Sequence, residues 1–146
     1  MNLSFIYANF PFWRAEVGKI ALYLGDIDFK NVQISSDEFA RVKEKGIMDD
    51  GTIIPFHQLP CLVVNGTSIA QTGAIARFCG KAAGMYPKNN DLLAAKIDQF
   101  IDFSTDITEL VANTGRDDNE EVRAKKRKQL ASNGLKRKLG MLEKNI

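Results

Sequence analysis

The chain has 146 residues, 45% of them hydrophobic and 26% charged, with a formal net charge of +2; these are ordinary proportions for a soluble globular protein with room for one domain, or for a small domain and part of another. No apolar run approaches the roughly 20 residues of a membrane helix, and the single histidine, His57, argues against a zinc site. The two cysteines, Cys61 and Cys79, form no C-x-x-C pair and suit a reducing cytosol.

In chain order, Leu3 to Ala8 is a short apolar run between Asn2 and Asn9, read as a first strand and not as a signal peptide, since no basic segment precedes it. Pro11 stands where a helix can begin. Ala15, Val17, Ile20, Ala21 and Leu24 recur at helical spacing, and Gly25 closes that helix. Phe29 to Ile34 reads as a second strand. Asp37 to Lys45 is a short charged helix stopped by Gly46, and Ile47 to Phe56 is a loop turning at Asp50-Gly51.

The stretch FHQLPCLVVNG follows, residues 56–66. Proline cannot donate to a sheet ladder and is tolerated at a strand's first residue. Leu59-Pro60 therefore marks a strand entry, with backbone groups near Leu59 open to another peptide-like molecule. Asn65-Gly66 is a strong hairpin signal, so the reading is strand, tight turn, strand from Thr67 to Ala70. A helix from Gln71 to Gly84 presents Ile75, Phe78 and Cys79 on one face, and Met85 to Asn90, with Pro87 and two asparagines, has linker chemistry.

Beyond the linker the pattern is helical throughout. Asp91 to Asn113 carries Leu93, Ile97, Phe100, Ile107 and Val111 near a 3.6 period, and Gly115 ends it. Asp117, Asp118, Glu120 and Glu121 open a last long helix with Val122, Leu130, Leu135, Leu139, Leu142 and Ile146 on its apolar side. From residue 123 onward nine basic residues face one acid, Glu143, while residues 1–122 hold eleven basic and seventeen acidic ones. The block from Arg123 to Lys128 reads as a solvated helix face, because no aromatics interleave the charges as single-strand binding requires; neither nucleic acid nor membrane is an expected partner. The order β-α-β-α-β-β-α followed by helices predicts an α/β domain over 1–84, a linker over 85–90, and a partial all-α domain over 91–146 built of two long helices.

These residues carry a resemblance. QLPCLVVNGTSIAQTGAIARF resembles the core signature of the cytosolic glutathione transferases, WRAEVGKIALYLG their first helix and KIDQFIDF their fourth. The sigma-like branch, which includes haematopoietic-type prostaglandin D synthases, is the most similar. The resemblance implies a thioredoxin-like first domain, a cytoplasmic homodimer and glutathione as co-substrate without a metal. It implies conjugation of glutathione to a small hydrophobic electrophile, or glutathione-dependent isomerisation or peroxide reduction; a non-catalytic, crystallin-like role is the alternative.

Residue by residue, the resemblance makes Tyr7 the catalytic hydroxyl and Arg14 its support. It pairs Leu59, before a cis Pro60, with the cysteine backbone of glutathione. Gln71 and Thr72, at a helix start that attracts carboxylates, take the γ-glutamyl end, and Gln58 and Lys43 the glycine end. Asp98 reaches the glutathione of the other subunit, and Phe56 resembles an aromatic key inserted into that subunit. The plain alternatives stand beside these roles: Tyr7 as a core aromatic, Gln71 and Thr72 as a cap, Lys43 as a solvated surface charge, Asp98 with Asp102 and Asp106 as an acidic stripe, and Phe56 as loop packing. Three departures accompany the resemblance. Tyr7 to Arg14 is one residue longer than the sigma-like pattern, with Trp13 where a small residue is common. Phe10 occupies the position of the omega-like branch's cysteine. The chain stops after its fifth predicted helix, short of the family's usual length.

Overall fold

A computed structural model of the protein describes residues 1–9, 13–114 and 119–146. The expectations placed on Phe10, Pro11, Gly115, Asp117 and Asp118 lie outside the described residues. The chain divides into two compact units, Met1–Ala95 and Lys96–Ile146.

The first unit is built on a four-stranded sheet of order β2-β1-β3-β4, comprising β1 (Leu3–Ala8), β2 (Lys30–Ile34), β3 (Cys61–Val64) and β4 (Thr67–Ala70). β1 runs parallel to β2 and antiparallel to β3, and β3 and β4 form a hairpin. Asn65 (φ 49°) and Gly66 (φ 86°) turn that hairpin with the positive φ at both positions that a type I′ turn needs. The helices are α1 (Glu16–Leu24), α2 (Ser36–Lys45) and α3 (Thr72–Ala82). This is the α/β arrangement that the element order predicts, and the thioredoxin-like one that the resemblance implies.

Strand alternation sorts the core into two layers. Leu3, Phe5 and Tyr7 of β1 pack with Ala15, Leu22, Ile75 and Cys79 on the α1/α3 side. Ile6 of β1 packs with Ile34, Val42, Met48, Ile54 and Cys61 on the α2 side. Leu59, half-buried, touches both layers. The close approach of α1 to the sheet depends on Gly18, where a Cβ would lie 2.8 Å from the Phe5 ring. α2 begins with an N-cap, Glu38 N donating to Ser35 Oγ at 3.1 Å, and ends at the left-handed Gly46.

α4 (Asp91–Ala112) starts in the first unit and continues into the second, so the division falls inside this helix and not in the 85–90 segment. The last stretch corrects an expectation: the predicted single long helix is two, α5 (Glu120–Ser132), capped by Asn119 Oδ1 accepting from Val122 N, and α6 (Gly134–Glu143). Asn133, with φ −122° and ψ −81°, breaks the run, so residues 91–146 hold three helices among the described residues. Gly134 lets α6 start against Leu110 and Leu130, and Lys138 Nζ reaches Asp106 of α4 at 2.8 Å. No described helix is long and apolar enough to cross a membrane.

Candidate functional site

The register of the sheet brings the chemistry-bearing residues of the first unit to one end. Ile6 of β1 stands opposite Cys61 of β3, and Cys61 opposite Ala70 of β4. The next residues outward from that row are Tyr7 on β1, Pro60 before β3 and Gln71 after β4. Tyr7 and the hairpin segments that carry Pro60 and Gln71, far from it along the chain, thus meet at one sheet end, with Leu59 and Thr72 one step further out.

Each position has its own local cause. Tyr7 follows the strand alternation into the α1/α3 layer and is 8% exposed. Trp13 (φ 127°) packs against the same layer, and Arg14 beside it is half-buried at the approach to α1. Tyr7 and Trp13 thus both belong to this layer. The Leu59-Pro60 bond is cis, Pro60 is buried, and Leu59 wedges between the core layers.

Gln71 has φ 72° and ψ 122°, a region that residues with side chains rarely occupy. It stands at the N-cap of α3, yet its exposed side chain makes no cap hydrogen bond. Its carbonyl accepts from Ile75 N at 3.0 Å. The first-turn amides, beginning with that of Thr72, have no acceptor inside the helix and lie at its positive end. Such an end favours a carboxylate.

Gln58 is exposed and extended (φ −132°, ψ 151°) after a short 3-10 turn at Pro55–His57. Lys43 lies in the last turn of α2, its ammonium over the Phe39 ring at 4.6 Å. Phe56, in that turn, has φ 58° and is 69% exposed, so it is not packed into its own loop. Asp98 is half-buried on α4 and belongs to the second unit; the first unit does not bring it to the sheet end. Its stripe-mate Asp106 is taken up by Lys138.

The chain's own thiols are poor nucleophiles. Burial pushes the Cys79 thiol up to about 11. Burial also raises that of Cys61, partly offset by hydrogen bonds from Ser68 and Ile69. Both stay protonated at neutral pH, so a thiolate at this sheet end has to come with a ligand. His57 is the residue here that sequence reasoning passed over; its place directly before Gln58 was the available signal.

The family described as Glutathione S-transferase, N-terminal domain, matches residues 3–80. The chain belongs to the glutathione S-transferase family. Glutathione S-transferase 2 of Caenorhabditis elegans is 31% identical over 91 residues, 62% of this chain and 44% of that one. Among solved structures, the prostaglandin synthase D of Nilaparvata lugens superposes with a TM-score of 0.73 at 26% identity, covering 89% of this chain and 60% of that one. The rat hPGDS complexed with a quinoline shares the fold at a TM-score of 0.79 and 22% identity, covering 99% of this chain and 67% of the other. This glutathione S-transferase chain spans less than half the length of the nematode relative and 60% of the insect structure.

Proposed function

We propose that the chain binds glutathione at the sheet end and activates its thiol for attack on a small hydrophobic electrophile, as a cytoplasmic, sigma-like glutathione transferase. The observation that carries this reading is the meeting of Tyr7, Pro60 and Gln71 on the row next to Ile6, Cys61 and Ala70, with Leu59 and Thr72 one step beyond.

In this reading the backbone of Leu59 pairs with the cysteine residue of glutathione, as an added strand pairs with a sheet edge. The γ-glutamyl carboxylate takes the α3 amides and the Gln71 and Thr72 side chains, and Gln58 and Lys43 take the glycine carboxylate. The remaining task is the thiol, which with a pKa of about 8.5 is mostly protonated at neutral pH. The Tyr7 hydroxyl donates a hydrogen bond to the sulfur and stabilises the thiolate, with Arg14 supporting it. The thiol proton goes to solvent, the C–S bond forms, and the leaving group departs with its electron pair. The insect prostaglandin synthase among the similar structures makes glutathione-assisted isomerisation a related outcome of the same thiolate. A homodimer in which Asp98 reaches the partner's glutathione and Phe56 enters the partner completes the reading.

Calorimetric titration with glutathione, followed by a conjugation assay with an aryl halide, tests the proposal. Binding and turnover support it. Binding without turnover leaves the crystallin-like alternative, and no binding rejects both.

A further inference from the structure

We propose that His57 is a positioning residue for the glycine end of the glutathione site, a latch that holds the C-terminus of α2, with Lys43, against the segment that carries Gln58. The inference rests on the glutathione reading above and extends it to a residue that touches no ligand there.

The geometry is local and specific. The last carbonyls of a helix have no partner within it. In α2 the carbonyl of Lys43 lies 3.1 Å from His57 Nδ1; a carbonyl oxygen only accepts, so Nδ1 carries the proton and donates. Two further bonds close the same corner, Ile54 N donating to Gly46 O at 2.8 Å and His57 N to Ile54 O at 3.1 Å. The imidazole lies so close to Gly46 that a Cβ there would come within 2.4 Å of Nε2. Gly46 is also left-handed (φ 68°), so glycine at this position both ends the helix and admits the ring.

The backbone is bent to make this contact. Phe56 (φ 58°) and His57 (φ 54°) are consecutive left-handed residues with side chains, a conformation held only where the surroundings over-determine it. The bend points Phe56 outward and turns His57 to the end of α2. The chain then leaves extended through Gln58 into Leu59-Pro60. One hydrogen bond, from the His57 ring to the carbonyl of Lys43 itself, thus ties Lys43 to the residue directly before Gln58. A simple helix cap would need neither the paired left-handed residues nor a ring fitted to Gly46.

The test removes the ring without straining the turn. His57→Gly suits φ 54° and deletes the imidazole, whereas His57→Asn keeps an N–H donor near the Nδ1 position and tolerates the left-handed backbone. Native and variant chains are titrated with glutathione and with γ-glutamylcysteine, which lacks the glycine. The expected result is that His57→Gly weakens glutathione binding roughly 3- to 10-fold, leaves γ-glutamylcysteine binding unchanged, and is largely rescued by His57→Asn. Equal affinity for glutathione in His57→Gly overturns the latch. Equal loss for both ligands, with His57→Asn no better than His57→Gly, overturns it as well and reduces His57 to a cap. Failure of the native chain to bind either ligand removes the glutathione reading itself, and the latch with it, before any variant is compared.

Discussion

Between Leu3 and Tyr86 the chain buries Phe5, Leu22, Ile54, Leu62 and Ile75 almost completely, whereas from Lys96 to Ile146 no described residue is buried and Leu139, Met141 and Ile146 are exposed. The two units are held by different means. The first has a sheet with an apolar layer on each side, and its conformation is fixed by close packing. The second has helices with half-buried stripes, joined by the Gly134 contact and the Lys138–Asp106 pair. A site that must hold several groups in register belongs on the rigid unit, and the proposed glutathione contacts other than Asp98 are there.

The largest effect that sharpens this contrast is on stability. Phe5 is fully buried and packs edge-on to Phe29 with ring centroids 6.1 Å apart. Phe5→Ala should cost about 3–5 kcal/mol. Leu139→Ala, at a side chain 47% exposed, should change stability by no more than about 0.5 kcal/mol. Urea unfolding of both variants measures the difference, and equal losses would mean that the second unit has a core of its own.

The next effect is chemical. Tyr7→Phe keeps the buried ring and removes only the hydroxyl, so turnover should fall about 10²-fold while glutathione affinity changes little. Stopped-flow or steady-state conjugation against calorimetric binding separates the two quantities. Unchanged turnover would return Tyr7 to the role of a core aromatic.

Much of the rigid unit is legible in the sequence because its signals are local and agree with one another. The apolar run from Leu3 to Ala8, the Asn65-Gly66 turn and the stop at Gly46 each name their element within a residue. The Ser35-x-x-Glu38 pattern was a cap signal that the reading did not use, and the helix starts at Ser36, one residue earlier than the acidic run suggests. The helical unit was harder to read. Asn133-Gly134 is a turn signal inside the last helix, overridden in the reading by the leucines around it; yet Leu130 to Leu135 is a spacing of five, which a single helix does not keep on one face. Of the proposed site, only a candidate set of residues was legible, from the family resemblance. Its geometry was not, because the backbone of Gln71 and the bend at Phe56 and His57 depend on tertiary contacts that no local propensity encodes.

Gln71 tests whether that backbone strain belongs to function. Gln71→Gly relieves φ 72° and should stabilise the fold by about 1 kcal/mol. The same change removes a side chain proposed to hold the γ-glutamyl carboxylate and should weaken glutathione binding by about 1–3 kcal/mol. Opposite signs in thermal unfolding and in calorimetry are the expected signature. A gain in stability with no loss of affinity would make the conformation a packing compromise with no ligand role.

The smallest effect concerns the tie between α4 and α6. Lys138 Nζ lies 2.8 Å from Asp106 Oδ2 and 4.8 Å from the centre of the Phe103 ring. Asp106 is largely exposed, so water and salt screen the pair, and exposed pairs of this kind contribute about 0–1 kcal/mol. Lys138→Met keeps the aliphatic stem over Phe103 and removes the charge. It should lower stability by less than about 1 kcal/mol at low salt and by less again near 1 M, where the screening length falls to about 3 Å. A larger, salt-insensitive loss would mean that the enclosure of the Lys138 side chain, 22% exposed, outweighs the exposure of Asp106, and the helical unit would then depend on this single cation as the first unit depends on its core.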